Sequence, residues 1–264
     1  MDRRTQVFHS ISPSDDTPQS FEAWMQALES RHLANLTFPE VTRALRALSS
    51  AYVERRGSGG PRSALDSAGK RAAFGLFYAP LHFLATTHVV RSLAAQQTAP
   101  SHILDIGCGT GVAGAAWALA GQTAQRVTGV DRHPWAIAEA RWTYTQLGVR
   151  GRAAVGDILS PPRLARGDAV VAAYVMNELS DPVRLTVEGH LRRLASEGVR
   201  VLMLEPVSRQ AAPWWDGAVA RLGPAGFRAD EWRFEIERPA IVTKLDDASG
   251  LNHRTLALRS LYHP

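Results

Sequence analysis

Three glycines at alternate positions, Gly107, Gly109 and Gly111, follow a short apolar run that contains a single acid, Asp105. Glycine allows a sharp turn of the backbone and lets a ligand lie directly against the main chain. The alanine-rich segment 112–119 that follows is typical of a helix. A buried strand, a glycine turn and a helix N-terminus together form a binding site for a nucleotide-type ligand.

The spacing of these glycines separates two interpretations of the loop. A dinucleotide fingerprint, G-x-G-x-x-G, requires a third glycine at the position of Val112. The pattern present is D-x-G-x-G-x-G, with the acid two residues before the first glycine. Because the dinucleotide fingerprint is incomplete, this spacing disfavours a nicotinamide-dependent oxidoreductase. The remaining alternative from the residues alone is an ordinary tight turn in an unrelated α/β domain.

Further polar residues follow the next apolar runs of the chain. Asp131, Asp157 and the pair Asn177 and Glu178 come at predicted strand ends, and the carboxyl ends of parallel strands meet at one crevice. Asp131 lies 24 positions after Gly107 (131 − 107), near the offset of about 20 residues at which an acid binds ribose hydroxyls. Each acid taken singly is also a candidate helix cap. Several acids in register after one glycine loop favour a ligand site.

Strands and helices alternate from Ser101 onward, which predicts a parallel sheet with helices on both faces. The predicted strands are 103–106, 127–130, 153–155, 168–175 and 199–204, with a closing antiparallel pair at 231–238 and 254–261. These seven strands predict an α/β fold in which residues 99–264 form the ligand-binding domain.

Residues 1–98 are predicted to be a helical N-terminal extension, because no strand pattern precedes residue 101. Apolar residues from Phe21 to Leu28 recur at helical spacing, and Pro39 opens a second helix. A glycine-rich loop at 57–61 separates it from an aromatic-rich helical region at 65–93, which Pro80 is expected to kink or divide.

Composition excludes several classes of site. The only cysteine among 264 residues is Cys108, so an intrachain disulfide and a cysteine metal cluster are excluded, and the spacing of the histidines predicts no metal site. No signal peptide and no membrane-spanning run are predicted, which makes a cytoplasmic location the expectation. The formal charge is +5, and 28 of the 30 basic residues are arginine but are scattered along the chain, so composition gives RNA only weak support as a partner.

The loop motif and the strand-end acids resemble class I S-adenosylmethionine-dependent methyltransferases, over residues 101–264. The resemblance implies a Rossmann-like seven-stranded sheet, S-adenosylmethionine as the cofactor and S-adenosylhomocysteine as the product. It also implies a role for each matching position. At the methionine end, Asp105 would contact the ammonium group, and Gly107, Cys108 and Gly109 would lie against the methionine part, with Tyr174 and Asn177 near the sulfonium. At the other end, Asp131 would bind the ribose, and the adenine would be bound by Arg132, Asp157 and the Ile158 backbone.

A narrower resemblance is carried by three segments, V-T-R-A-L-R-A-L-S-S-A-Y at 41–52, N-E-L at 177–179 and L-M-L-E-P at 202–206. They resemble methyltransferase-like proteins associated with the mitochondrial small ribosomal subunit, and their bacterial relatives. Members of that family carry cysteines for an iron–sulfur cluster after the E-P strand, and residues 207–234 contain none. The iron–sulfur cluster is therefore not expected in this chain. The alternative function that this resemblance implies is an assembly factor for the ribosome or its RNA, with the fold and cofactor site kept but without turnover.

Methyl transfer from a sulfonium is an in-line displacement that depends mainly on positioning, and a base is needed only where the acceptor loses a proton. Glu178 is a candidate because N-E-L places a carboxylate near the donor methyl. Tyr78 and His82 are four residues apart and share a helix face, so they are candidates for the wall of the substrate mouth. The alternative for both is ordinary packing. The acceptor, whether a small molecule, a protein or RNA, is not defined by the sequence.

Overall fold

The computed structural model describes residues 5–7, 19–54, 65–97, 100–121 and 125–264. The strands are β1 (Thr5–Val7), β2 (His102–Ile106), β3 (Arg126–Asp131), β4 (Arg150–Val155), β5 (Ala169–Ala173), β6 (Arg200–Pro206), β7 (Arg228–Glu235) and β8 (Thr255–His263). The helices are α1 (Gln19–His32), α2 (Phe38–Glu54), α3 (Ala68–Ala73), α4 (Ala79–Ser92), α5 (Val112–Ala120), α6 (Pro134–Gln146), α7 (Asp181–Ser196), α8 (Trp215–Leu222) and α9 (Ala240–Ser249).

One mixed sheet organises the fold, with the strand order β1-β7-β8-β6-β5-β2-β3-β4. Strands β2 to β6 run parallel, and β8 pairs antiparallel with both β6 and β7. Strands β2 to β8 confirm the predicted Rossmann-like seven-stranded sheet. The strand order reverses beside β2, which has β3 on one side and β5 on the other. A crevice therefore opens at the carboxyl ends of these strands.

The N-terminal strand β1 differs from the prediction that no strand precedes residue 101. Residues Thr5–Val7 pair in parallel with β7 at the edge of the sheet, with Thr5 opposite Glu231. A three-residue strand is too short to show a periodic pattern, and it depends on the available edge of β7 rather than on its own propensity. It extends the sheet to eight strands.

Two hydrophobic cores flank the sheet. One contains sheet residues such as Ile103 and Val127 and packs against the N-terminal helices, α5, α6 and α9. The other contains Leu104 and Val170 and packs against α7 and α8. Consecutive strand residues thus belong to opposite cores, as the two-residue period of a strand requires. Both faces of the central strands are buried, which explains their nearly continuous apolar sequences.

The N-terminal helices belong to the same core as the sheet. Trp24 of α1 is fully buried and lies 5.8 Å from the ring of Phe83 in α4, and both join the core that contains Trp117 of α5. The Glu139 carboxylate of α6 accepts hydrogen bonds from Arg31 at the end of α1. The predicted boundary at 98/99 and the predicted loop at 57–61 lie outside the described residues.

Pro80 does not break the helix in which it lies. The run from Ala68 to Ser92 is continuous, with a π-helical turn at Phe74–Tyr78 in which the Ala79 N–H donates to the Phe74 carbonyl. The wider turn places proline in the first turn of α4, where its missing N–H costs no helical bond. This run of 25 residues has the length and composition of a membrane span, contrary to the sequence prediction, but 72% of its most apolar window is buried inside the protein. We therefore describe it as a core helix.

Candidate functional site

The glycine loop connects β2 to α5 and adopts left-handed backbone angles, with φ values of +64° at Gly107, +51° at Gly109 and +79° at Gly111. A methyl group at Gly107 would overlap Val175, and one at Gly111 would lie 2.7 Å from the ring of Tyr144. At Gly109, by contrast, the nearest atom is 4.0 Å away. The outer glycines are therefore required for packing, while Gly109 leaves its main chain open to the crevice.

The side chain of Asp131, at the end of β3, holds this loop through hydrogen bonds. Its Oδ2 accepts a hydrogen bond of 3.0 Å from the Gly109 N–H, and its Oδ1 accepts one of 2.8 Å from the His133 N–H. The N-cap of α6 is His133, whose Nδ1 accepts from the Trp135 N–H. Asp131 is thus not the cap of α6, and its carboxylate lies directly beside the glycine loop.

Asp105 is fully buried in β2, beneath the loop. Its Oδ2 accepts a hydrogen bond of 2.8 Å from the Gly114 N–H in the first turn of α5. Burial raises the pKa of Asp105 to about 7, and the nearby Asp131 contributes to the increase. The observed role of Asp105 is to join β2 to α5, and its expected contact with an ammonium group stays a prediction.

Cys108 is buried between the loop and β3. Its N–H donates to the Val130 carbonyl at 3.0 Å, which places the start of the loop against the end of β3. Burial raises the pKa of the Cys108 thiol well above its usual value. The side chain is therefore an uncharged packing group, and only the main chain of Cys108 is suited to contact a ligand.

The residues predicted to hold adenine come from the ends of β3 and β4. The Gly156 N–H donates to the Asp131 carbonyl at 3.0 Å, which brings Asp157 next to the end of β3. Asp157 is exposed, and its Oδ1 accepts from the Leu159 N–H at 2.9 Å. Arg132 is also exposed, whereas Ile158 is half-buried against the second core. The predicted adenine residues are therefore neighbours at one end of the crevice.

The residues predicted to lie near the donor methyl follow β5. Tyr174 adopts a φ of +58°, and its ring stacks on His82 of α4 with the centroids 3.9 Å apart. His82 also contacts the rings of Tyr78 and Phe74, at 6.1 Å and 6.3 Å. A methyl group added at Gly109 would have Phe74 Cζ as its nearest neighbour, at 4.0 Å. The structure therefore brings Tyr78, His82 and Tyr174 together, and adds Phe74, which the sequence reasoning did not select as a site residue.

The three candidate catalytic side chains differ in their protonation. Burial raises the pKa of Tyr78 to about 12, and burial lowers that of His82 to about 3. Burial also raises the pKa of Glu178 to about 7, with Asp131 raising it further and Arg132 lowering it. A general base works best when its pKa lies near the working pH. Of the three, Glu178 meets this condition.

Glu205, at the end of β6, is a further residue that sequence reasoning did not assign to the site. It is fully buried, and its Oε1 accepts a hydrogen bond of 2.9 Å from the Met176 N–H in the turn after β5. Asn177 in the same turn accepts from Trp214 Nε1 at 3.1 Å. Its sequence signal is the same as that of the other site acids, because Glu205 also lies at the end of a parallel strand.

Within the described residues, no group of three or more His, Cys, Asp or Glu side chains is arranged to hold a metal ion. The groups that converge on the crevice are instead open main chain at Gly109, carboxylates at Asp131 and Glu178, and aromatic rings. Carboxylates favour the positively charged ammonium and sulfonium groups of S-adenosylmethionine. The open main chain gives space for its methionine part, so the residues present fit this cofactor.

One comparison with known proteins matches part of the chain to a family. Residues 103–198 match a family model described as a methyltransferase domain, whereas no curated protein matches the sequence. The chain is 16% identical to the N-methyltransferase NodS from Bradyrhizobium japonicum, covering 84% of this chain and 98% of that one with a TM-score of 0.47. For the magnesium protoporphyrin IX methyltransferase of Synechocystis, the identity is 16%, the coverage 85% and 97%, and the TM-score 0.46.

A methyltransferase from Clostridium acetobutylicum that is S-adenosylmethionine-dependent is 14% identical, with a TM-score of 0.38. There the match covers 48% of this chain, and the chain spans about half (50%) of that protein's length. These solved structures are relatives in fold only, and the assignment rests on the family match and on the glycine loop with its strand-end acids. Residues 103–198 thus match a methyltransferase domain, and the glycine loop and the strand-end acids Asp105, Asp131 and Asp157 lie inside this matched range.

Proposed function

We propose that the protein methylates an oxygen or nitrogen atom that loses a proton, and that Glu178 accepts this proton. The observation that carries the proposal is the position of Glu178 in the turn after β5, beside Asp131, with a pKa of about 7. When bound, S-adenosylmethionine supplies an electrophilic methyl group on a positively charged sulfur. The acceptor belongs to one of three classes, a small molecule, a protein or RNA.

The other candidates fit different roles. His82 stays neutral at physiological pH because its pKa is about 3, so it is a poor proton acceptor. Tyr78 stays protonated because its pKa is about 12, so it acts as a hydrogen-bond donor. We therefore assign Tyr78 and His82 to the wall of the acceptor site and to its orientation, and the proton transfer to Glu178.

The cofactor-binding roles are part of the same proposal. Asp131 is suited to the ribose hydroxyls, because a carboxylate accepts two hydrogen bonds and this one lies beside Gly109. The adenine would be bound by the exposed side chains of Arg132 and Asp157 and by the main chain of Ile158. Asp105, Gly107, Cys108 and Gly109 belong to the methionine end, with Tyr174 and Asn177 beside the methyl group.

The N-terminal helices are proposed to cover this methionine end. The support is the approach of Phe74 to Gly109 and the stacking of His82 on Tyr174. Both contacts join the helical run 68–92 to loops at the carboxyl edge of the sheet. A lid of this kind excludes water from the transfer site.

The test is transfer of tritium from methyl-labelled S-adenosylmethionine into small-molecule, protein and RNA fractions of an extract from the organism that carries the protein. The wild type is expected to label one fraction. Glu178→Gln is expected to bind the cofactor normally in calorimetry but to transfer at least about 100-fold more slowly, the usual contribution of a general base. The matched control is Glu197→Gln, an exposed carboxyl directly after the end of α7.

Three outcomes would contradict the proposal. A rate of methyl transfer by Glu178→Gln equal to that of the wild type would show that this carboxyl does not accept the proton. Cofactor binding by the wild type without label in any fraction would indicate the alternative, a binding protein without turnover. Transfer that does not rise with pH through about 7 in the wild type would show that deprotonation of Glu178 does not limit the reaction.

A further inference from the structure

One face of the sheet is left without a helix at the β3–β4 end. The connection from β4 to β5, residues 156–168, is described throughout and contains neither helix nor strand. It includes Pro161 and Pro162, which disfavour a helix there. Helix α6 covers the opposite face of the same two strands. The face of β3 and β4 away from α6 is therefore open at its amino-terminal end.

Arginines occupy this open face. Gly151 and Ala153 of β4 point toward α6, since a methyl group at Gly151 would overlap Tyr144 of α6 and Ala153 belongs to the first core. The intervening residues Arg150 and Arg152 therefore point to the other face, and both are exposed. Strand β4 is the last strand of the sheet, so nothing among the described strands shields them from that side.

The strand register adds a third arginine. Arg126 of β3 is paired with Arg150 of β4, so both side chains lie on the same face, about 4.8 Å apart at the backbone. Arg152 follows Arg150 about 6.6 Å further along β4. Arginines that are scattered in the sequence thus form one cluster, which we call the arginine face: Arg126, Arg150 and Arg152.

Like charges placed directly opposite on neighbouring strands repel each other. Within the described residues, none of the ion pairs involves an arginine of this face, and Arg152 Nε donates to Thr128 Oγ1 instead. Asp168, a buried acid directly before β5, accepts from Ser101 and lies 3.9 Å from His102. No ion pair among the described residues therefore offsets the repulsion between Arg126 and Arg150, and an external anion would reduce it.

We propose that the arginine face binds the phosphate backbone of helical RNA. Arginine binds phosphate with two parallel hydrogen bonds, and several arginines at regular spacing suit a repeating anion. The face has neither an aromatic ring for base stacking nor a projecting helix for a DNA major groove, which favours contacts to a backbone across a wide, shallow groove. A symmetric dimer through this face is disfavoured because two such faces would repel each other.

The arginine face is separate from the methyl-transfer site. Arg126 begins β3 and Asp131 ends it, so the two lie roughly 16 Å apart along the strand. Binding of RNA at this face does not require the cofactor, Glu178 or any acceptor atom. Failure of this inference would therefore leave the proposed catalytic function unaffected, and failure of the catalytic proposal would leave this inference intact.

The test is binding of a fluorescein-labelled 20-base-pair RNA duplex, followed by anisotropy over a range of salt concentrations. The triple variant Arg126→Gln/Arg150→Gln/Arg152→Gln is expected to bind roughly tenfold or more weakly than the wild type at low salt. The slope of log K against log salt should fall by roughly 2–3, because each lost phosphate contact contributes about 0.7–0.9. Calorimetry with S-adenosylhomocysteine and the melting temperature show whether the variant remains folded.

The matched control is Arg192→Gln/Arg193→Gln/Arg254→Gln, which removes the same charge from exposed positions elsewhere. Its RNA affinity and salt slope should remain near those of the wild type. Equal losses in both variants would overturn the proposal, since binding would then follow net charge alone. Tighter binding of poly-glutamate or of a DNA duplex of the same length would also overturn it, in favour of an acidic protein or of DNA. So would the absence of RNA binding by the wild type.

Discussion

The imidazole ring of His82 stacks on the phenol ring of Tyr174, with the centroids 3.9 Å apart and the planes 15° from parallel. His82 belongs to α4 of the N-terminal part, and Tyr174 follows β5 of the methyltransferase domain. Tyr174 is held at a φ of +58°, a conformation unfavourable for a residue with a side chain. The stacking contact therefore joins the two parts at a strained residue, where strain is typical of functional sites.

The first prediction concerns this strained residue. Tyr174→Phe should fold with a melting temperature close to that of the wild type, because the ring and its stacking remain. Tyr174→Val should lower the free energy of unfolding by about 2 kcal/mol or more, since a β-branched side chain is poorly compatible with a positive φ and also loses the stack. Chemical denaturation of both variants measures this difference. Equal stability of the two would show that neither strain nor stacking matters at this position.

The strand-end acids were predictable because the carboxyl ends of parallel strands must meet, and Asp131 and Asp157 are indeed neighbours. The partner of Asp131 was not predictable, because its bond to the Gly109 N–H depends on how the loop folds back onto β3. The same applies to Phe74, whose approach to Gly109 depends on a π turn that no local sequence rule specifies. Local spacing thus predicted which candidate residues lie near each other, and tertiary contacts decided which of their atoms meet.

The second prediction assigns Glu205 a positioning role. Its carboxylate holds the turn that carries Asn177 and Glu178 by accepting from the Met176 N–H. Glu205→Gln retains an acceptor oxygen at this place, so cofactor affinity should stay within about threefold of the wild type. Glu205→Ala leaves a buried N–H unsatisfied, which costs about 1–3 kcal/mol.

Isothermal calorimetry and denaturation distinguish this role from a purely structural one. In Glu205→Ala, S-adenosylhomocysteine binding should weaken at temperatures where the protein is still fully folded, and the Gln variant should restore it. A loss of stability in the Ala variant with unchanged cofactor affinity would show that Glu205 supports the core but does not position the turn.

The third prediction follows from the buried carboxyl of Asp105, whose pKa is raised to about 7 from an ordinary value of 3.8. The folded protein then binds this proton more tightly than the unfolded chain does. The stability contributed by the protonated form is complete below about pH 4 and is lost as pH rises through 7. Above pH 7 the wild type carries a penalty of up to about 4 kcal/mol.

Asp105→Asn removes this titration but keeps an acceptor for the Gly114 N–H. The variant should be more stable than the wild type at pH 8, and the advantage should disappear on going down to pH 4. Denaturation at a series of pH values measures the difference. A variant that is less stable than the wild type at pH 8 would show that the Asp105 carboxylate is stabilised by its surroundings rather than penalised by burial.

The last prediction tests how the N-terminal helices are held against the site. Gly75 lies in the π turn between Phe74 and Tyr78, and a methyl group there would lie 2.6 Å from His32 Nε2. That ring cannot move away freely, because its Nε2 is within hydrogen-bond distance of the Glu139 carboxylate on α6, at 3.0 Å. The absence of a side chain at Gly75 therefore allows α1, the π turn and α6 to meet at one point.

Gly75→Ala brings two opposing effects. Alanine favours helical backbone over glycine by about 1 kcal/mol, whereas overpacking against a fixed ring costs about 1–3 kcal/mol. In the wild-type background the substitution should be destabilising. In a His32→Ala background the overlap is gone, and the same substitution should become stabilising by up to about 1 kcal/mol.

A double-mutant cycle measured by denaturation gives the sign change directly, and its coupling energy should be about 2 kcal/mol. Because Phe74 and Tyr78 flank Gly75, S-adenosylhomocysteine affinity should fall with Gly75→Ala and recover in the double variant if the π turn covers the methionine end of the cofactor. A stability coupling without any change in affinity would retain the packing argument but contradict the lid. Additive effects on stability would contradict both, since the helices would then not be joined through His32.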